Sequence, residues 1–215
     1  VANAHTCTSL GFFTEQIAAQ GVIAIGMTNA SPVVAPPGGN TAVIGTNPIA
    51  MTVPGTGAPR MHFDFSTSAV ALGKITMAKA AGQAIPLGWA VDADGQPTTD
   101  PDAALKGALV SAGGYKGWGF GLMVELLAAG MTGSVNSLDV KGLKLPEGAP
   151  HGLGQFYILM DPTTYGDDFS ARFARVAQAV AAQDGARIPG ADRRVRDVVD
   201  VPDALWALVD TLAAA

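Results

Sequence analysis

The hydrophobic positions of the chain change period several times, and each change marks an element. In residues 10–20, Phe13, Ile17 and Ala18 fall on one helical stripe and Gly21 supplies a C-terminal stop, so the pattern predicts a helix. Residues 22–27 form a continuous apolar run of the kind carried by a strand buried on both faces. Residues 28–54 are dense in Gly, Pro and Asn, which fix backbone shape rather than fill a core, and read as ligand-holding loops. Met61-His62-Phe63-Asp64-Phe65 alternates like a strand, and Ser66-Thr67-Ser68 offers caps for a helix through Ala69, Leu72, Ile75 and Ala78 to Gly82. Residues 89–92 turn through Asp94-Gly95, and Asp100-Pro101 starts a further helix with Asp at the cap and Pro in the first position.

The second half is built around Gly113-Gly114-Tyr115-Lys116-Gly117-Trp118-Gly119, which runs into the apolar segment 120–131. Phe120, Leu122, Met123, Val124, Leu126, Leu127 and Met131 are apolar almost all round, which predicts a buried helix. Residues 141–154 read as loop and 155–160 as a strand. Residues 167–182 read as an amphipathic helix with Phe169, Phe173, Val176 and Val180 inward, and Pro202-Asp203 opens a last helix bearing Leu205, Trp206, Val209 and Leu212. Helices alternating with short apolar strands give an α/β class.

Composition narrows the function classes. Of the 215 residues 48% are hydrophobic and 14% charged, against a usual charged share of roughly 25%, which excludes a disordered chain and favours a covered face, hence a homo-oligomer. A net charge of −5 argues against a nucleic-acid partner. Glu125 interrupts the best apolar run, so no membrane span is expected. The single cysteine, Cys7, rules out an internal disulfide and fits a reducing, cytoplasmic setting. The chain starts Val-Ala-Asn and enters structure at once, so an upstream part is expected to exist.

The usual chemical fingerprints are absent. There is no G-x-G-x-x-G, no Walker lysine loop and no G-x-S-x-G, and His5, His62 and His151 stand too far apart in sequence to suggest a metal site. Three kinds of candidate remain: anion-binding cations, a proton-transfer imidazole and an orienting carboxylate. Lys116 near a helix N-terminus is unfavourable unless an anion joins it, so a ligand phosphate or carboxylate is one reading and a solvated lysine the other. His5, among Asn3, Thr6, Thr8 and Ser9, could trade a proton with an alkoxide or simply be solvated. Asp64 could hold a ribose, orient an imidazole, or cap the following helix. Arg187, Arg193, Arg194 and Arg196 could hold phosphate oxygens or form a solvated face.

Taken in order, Asn3-Ala4-His5, Met27-Thr28-Asn29-Ala30-Ser31, Pro37-Gly38-Gly39, Gly45-Thr46-Asn47-Pro48-Ile49-Ala50, Phe63-Asp64-Phe65-Ser66-Thr67-Ser68, Gly88-Trp89-Ala90-Val91-Asp92 through Thr98-Thr99-Asp100-Pro101, Gly113 to Gly117, and Ile188-Pro189-Gly190 resemble the malate/L-lactate dehydrogenase type 2 family. The resemblance covers nearly the whole chain. It implies an α/β fold with a mixed sheet flanked by helices, distinct from the Rossmann fold, together with homodimers and a nicotinamide cofactor, NAD or NADP, in an extended pose. By position, His5 matches the family's proton donor and acceptor, and Asp64 the carboxylate near the reacting centre. Ser31, Asp64, Phe65, Ser66, Lys116, Pro189, Gly190 and Ala191 match cofactor contacts. The implied reaction is hydride transfer between NAD(P)H and a small 2-oxo acid or 2-hydroxy acid. A cyclic imine acid, Δ1-piperideine-2-carboxylate or Δ1-pyrroline-2-carboxylate, is the alternative substrate, suggested by the run from Asp92 to Pro101. The family's opening segment, with its Ser-His-Gly motif and substrate-reading arginine, has no counterpart. Residues 1–215 would thus be the cofactor-binding and dimerisation part of such an enzyme, or a fragment that binds cofactor without turnover.

Overall fold

The computed structural model describes residues 1–141, 150–164, 166–191 and 198–214. The elements run α1 (Leu10–Ala18), β1 (Ile23–Thr28), β2 (Ile49–Val53), β3 (Met61–Phe65), α2 (Leu72–Ala80), β4 (Ala90–Val91), β5 (Pro97–Thr98), α3 (Pro101–Lys106), β6 (Ala108–Leu109), α4 (Tyr115–Val124), β7 (Gln155–Met160), α5 (Phe169–Ala181) and α6 (Asp203–Ala213). A π-helical turn, Glu125–Gly130, continues α4, and a short 3₁₀ turn spans Ser137–Asp139.

Four strands form the main sheet in the order β3-β2-β1-β7, each neighbouring pair antiparallel. A second sheet orders β5-β4-β6, and a parallel bridge joins Val34 to Leu109. The class is α/β with helices on both faces of the main sheet and, among the described residues, no parallel doubly wound core, in keeping with the non-Rossmann fold that the resemblance implied.

Strand register determines which side chains share a face. Asp64, Ala50, Gly26 and Tyr157 form one cross-strand row, and His62, Thr52, Ala24 and Leu159 the next on the same face. Their small central members let α1 lie close: a Cβ on Gly26 would stand 2.9 Å from Thr14 Cγ2 and 3.0 Å from Tyr157 Cε1. The buried stripe of α1 is Leu10, Gly11, Thr14 and Ala18, whereas Phe13 turns toward solvent. This departs from the expected Phe13 stripe because Thr14 faces a polar seam. Its hydroxyl donates to Gly11 O at 3.0 Å and lies 2.8 Å from Thr52 Oγ1.

On the opposite face Met27, with Ile25, Ile49 and Phe156 around it, packs against Val124 and Ala128 of the long helix. That helix is buried on one side, through Gly117, Gly121, Val124, Glu125, Ala128 and Ala129. Phe120, Leu126 and Met131 are exposed, correcting the reading of a helix enclosed all round, since one layer of sheet covers only one side of it. A second core of Val34, Ile44, Val70, Ile75, Ile85, Ala90, Ala104 and Leu109 joins the smaller sheet to α2 and α3.

Two further expectations shift. Helix α2 starts at Leu72 without a side-chain cap, because the Ser66 and Ser68 hydroxyls donate to Ser68 O and Val70 O, and Thr67 Oγ1 lies within reach of Thr46 O and Asn47 O. Asp100 caps α3 as expected, its Oδ1 accepting from Asp102 N at 2.9 Å. Helix α5 half-covers Phe169, Phe173 and Val180, but Val176 is exposed rather than inward, and α6 exposes Leu205, Trp206, Val209 and Leu212. Among the described residues no helix is long and apolar enough to cross a membrane.

Candidate functional site

One end of the main sheet gathers the loops that matter. In the row Phe65–Ile49–Met27–Phe156, β3 and β1 are about to end while β2 and β7 have just begun. Ser66, the loop before Ile49, the turn leading to Ser31, and the segment before Gln155 therefore emerge side by side. The loop before α4 joins them: Ala112 N donates to Thr67 O at 3.0 Å, and Ser68 bridges Ser111.

Strand β3 is an edge of this sheet. His62 N donates outward to Pro189 O at 3.0 Å, so by the alternation of an antiparallel ladder the amides of Asp64 and Ser66 face the same edge, where they meet no backbone acceptor among the described residues. Gly190 sits tight against this edge with φ 84, where a Cβ would stand 2.7 Å from His62 O. Ala191 N closes the turn onto Ile188 O. Asp64 Oδ2 accepts from Gly11 N at 2.7 Å, in the first turn of α1. Its carboxylate thus caps the helix before it in sequence, where the dipole favours negative charge, rather than the helix after it. Phe65 is exposed and stacks on Phe63 with centroids 4.6 Å apart.

His62, beneath α1, has its pKa lowered by burial, with the Asp64 charge opposing. Thr14 spends its hydroxyl proton on Gly11 O, so Thr52 donates to Thr14 and accepts at 2.8 Å from His62 Nδ1, which assigns the proton of the neutral ring to Nδ1.

At the other edge, the first residues run along β7. The Val1 ammonium donates to Gln155 O at 2.8 Å, and Ala4 bridges Leu153. Here His5 meets His151, their rings stacked with centroids 4.3 Å apart and planes at 29°. His5 is exposed and His151 is 5% exposed. Burial, and secondarily the His5 charge, lowers the His151 pKa. Residues 5–9 then cross toward Asp64. Burial raises the pKa of the Cys7 thiol, and the Asp64 charge adds to the rise. Burial likewise pushes Tyr157 up to about 12, and its hydroxyl donates to Gln155 Oε1 at 2.9 Å.

Lys116 is exposed in the first turn of α4. The turn has no side-chain cap, and its first amides lack helical acceptors. Gly113 (φ 64) and Gly114 (φ 65) hold the left-handed conformation that glycine tolerates, with nothing within 4 Å of where their Cβ atoms would stand. An open, uncapped helix start carrying a lysine suits an anionic group. One turn deeper, Asn47 (φ 36) donates through Nδ2 to Gly121 O at 3.0 Å and to Glu125 Oε2 at 2.9 Å. Glu125 also accepts from Ser137 N at 2.7 Å and Ser137 Oγ at 2.5 Å. This buried hub ties α4 to the loop before β2. Asn47 Oδ1 is the buried side-chain acceptor left without a partner among the described residues.

The candidate residues therefore fall in three groups around one sheet. Ser66, Lys116 and the half-buried Ser31, whose neighbour Ala30 has its carbonyl 2.4 Å from where a Cβ on Gly45 would stand, share the loop end. Asp64, Phe65, Pro189, Gly190 and Ala191 line the β3 edge. His5 stands outside the β7 edge, on a segment paired against it, four strand spacings or about 19 Å across the sheet from β3. Arg193, Arg194 and Arg196 lie outside the described residues. Sequence reasoning missed His151 as a companion of His5, since nothing in their spacing signals the contact. It also took Glu125 only as an interruption, although a carboxylate in an apolar helix requires partners. Among the described residues no three His, Cys, Asp or Glu side chains cluster to hold a metal.

Comparison with known proteins adds four findings. The family model for malate/L-lactate dehydrogenase matches residues 1–204. The (2R)-3-sulfolactate dehydrogenase (NADP(+)) of Chromohalobacter salexigens is 40% identical over 219 residues, covering 100% of this chain and 65% of the relative. The Δ1-pyrroline-2-carboxylate reductase 1 of Burkholderia ambifaria is 42% identical over 207 residues, covering 92% of this chain and 61% of the relative. The crystal structure of Δ1-piperideine-2-carboxylate reductase from Pseudomonas syringae pathovar tomato superposes with a TM-score of 0.87 at 33% identity, covering 98% of this chain and 66% of that one. The chain thus spans less than two thirds of the length of the curated relatives it matches.

Proposed function

The chain belongs to the malate/L-lactate dehydrogenase family, and from that premise we propose that it binds NAD or NADP along the open β3 edge and takes part in reducing a small 2-oxo acid to its 2-hydroxy acid. The observation that carries this reading is the convergence of Ser31, Ser66 and Lys116 at the sheet end where β3 leaves its Asp64 and Ser66 amides open. When bound, a nicotinamide supplies the hydride. Lys116 and the first amides of α4 hold phosphate oxygens, and Pro189, Gly190 and Ala191 wall the other end of the same edge. Asp64, already held by Gly11 N, offers its second carboxylate oxygen and its outward amide to polar groups above the edge. His5, exposed at the edge opposite β3, would give its proton to the substrate oxygen as the carbonyl becomes an alkoxide, which requires the extended dinucleotide to reach across the sheet from the β3 edge toward it. The proton leaves the imidazole ring and forms the new O–H bond, so hydride and proton together complete the two-electron reduction. Cofactor binding and proton donation thus rest on separate residues, one set acting on ground-state affinity and the other on the transition state.

A second reading replaces C=O by the C=N of a cyclic imine acid, favoured by the resemblance to the Burkholderia ambifaria reductase. The proton then passes to ring nitrogen. The uncovered apolar faces of α5 and α6 support a homodimer as the working form, and the lone cysteine fits a cytoplasmic setting. A panel of 2-oxo acids and cyclic imines followed by NAD(P)H absorbance separates the substrates. In the active pair, His5→Ala lowers kcat by about 10²-fold or more with cofactor affinity nearly kept, and unchanged turnover removes His5 from the reaction. Cofactor binding with no turnover of any substrate would leave a binding part alone.

A further inference from the structure

Two hydrogen bonds close the bridge between Ala4 and Leu153, Ala4 N to Leu153 O at 2.8 Å and Leu153 N to Ala4 O at 2.9 Å. That bridge sets the backbone of His5 opposite Gly152, one residue from His151. Gly152 has φ 61, and a Cβ there would stand 2.8 Å from Val135 Cγ2, so the turn that brings His151 round to His5 needs glycine. Val135 N in turn donates to Gly152 O at 2.9 Å, and Asn3 N donates to Ser134 Oγ at 3.3 Å. Both histidines are therefore held from the same side by the segment around 134–135. The buried member of the pair presents a flat ring, and the exposed member lies on it with centroids 4.3 Å apart. An exposed imidazole at the end of an extended segment has free rotation about two side-chain bonds. Resting on a fixed ring removes much of that freedom, and a stacked π face also accommodates a ring that gains and loses charge.

We propose that His151 is a positioning residue for proton donation, its buried ring holding the His5 imidazole in the plane from which the proton is delivered. His151 itself lies too deep to touch substrate, so it acts through His5. The inference rests on the reading of His5 as the proton donor.

The test compares His151→Leu, which fills the site without a ring, with His151→Phe, which keeps the flat face. His151→Gln, equally without an aromatic ring, replaces the leucine variant should that one not fold. Because small misplacements of a reacting group cost up to about 10²-fold, His151→Leu is expected to lower kcat about tenfold or more. The KM for NAD(P)H should stay within about twofold, and the slowing of kcat in D₂O should grow as proton delivery limits the rate. His151→Phe is expected to keep kcat within about threefold of the parent. A purely structural role would lower thermal stability in both variants without this split or the isotope effect. Wild-type kcat in the leucine variant, or a phenylalanine variant as slow as leucine, overturns the proposal. The stack is also read without turnover: the His5 ring-proton resonances should move on His151→Leu, and unchanged resonances overturn it equally. His5→Gln run in parallel separates the two claims. Unchanged turnover there defeats the role of His5, whereas lost turnover alongside wild-type His151 variants defeats only the positioning role.

Discussion

Replacing Glu125 by glutamine changes one oxygen to an NH₂ group and tests the buried hub that seats α4. Three donors point at this carboxylate: Ser137 N and Ser137 Oγ at 2.7 and 2.5 Å, and Asn47 Nδ2 at 2.9 Å. Glutamine has one acceptor and one donor. With its oxygen kept toward Ser137 N, its NH₂ meets the NH₂ of Asn47, and with the amide flipped it meets the Ser137 backbone N–H. Turning the Asn47 amide would offer Oδ1 to the new donor but surrender the bond to Gly121 O at 3.0 Å. Each arrangement leaves a buried group without a partner. One such group costs about 1–3 kcal/mol, and the charge-assisted character of the remaining bonds is lost as well. A destabilisation of about 2 kcal/mol lowers Tm by about 4–8 °C in a chain of this size. Circular dichroism during thermal and urea unfolding measures it. A Tm within about 1 °C of the parent would refute the assignment of all three bonds to this carboxyl group.

Two further outcomes follow from named contacts. Lys116→Ala should weaken NADPH binding about tenfold by fluorescence titration while leaving Tm unchanged, since the side chain is exposed; equal affinity would remove it from the phosphate site. His62 and His151 both resist protonation in the folded state, whereas unfolded histidine takes its proton near pH 6.5. Their contribution to stability is therefore complete above about pH 6.5 and lost as the pH falls through the lower folded values. Urea midpoints measured from pH 7.5 to 5 should fall, and His62→Gln together with His151→Phe should flatten the fall.

What the sequence displayed follows from which forces act locally. Strands β3 and β7 and helix α3 carry their own period or cap, and they appear where the pattern placed them. Strand β2 was hidden in the Gly- and Pro-rich stretch because its residues, Ile49-Ala50-Met51-Thr52-Val53, take their strand identity from pairing on both sides. Short strands β5 and β6 were missed because each has two residues, too few to show a period, and takes its strand identity from pairing with β4. On α1, Phe13 suggested the wrong stripe, since a threonine that shares hydrogen bonds with Thr52 faces the sheet in its place. The uncapped start of α4 and its lysine were legible because glycine density and charge are local properties. The meeting of His5 with His151 was not, because a bridge between distant segments creates it. Nor was the hold of Asp64 on Gly11, which reverses the expected direction of capping.

A crystal structure of the protein with NADP⁺ bound would bear most directly on whether one dinucleotide spans these residues. The expected density lays the phosphates on Lys116 and the first amides of α4, with the chain of the cofactor following the open edge of β3 past Asp64 and Ser66. Density for the dinucleotide away from both Lys116 and the β3 edge would contradict it.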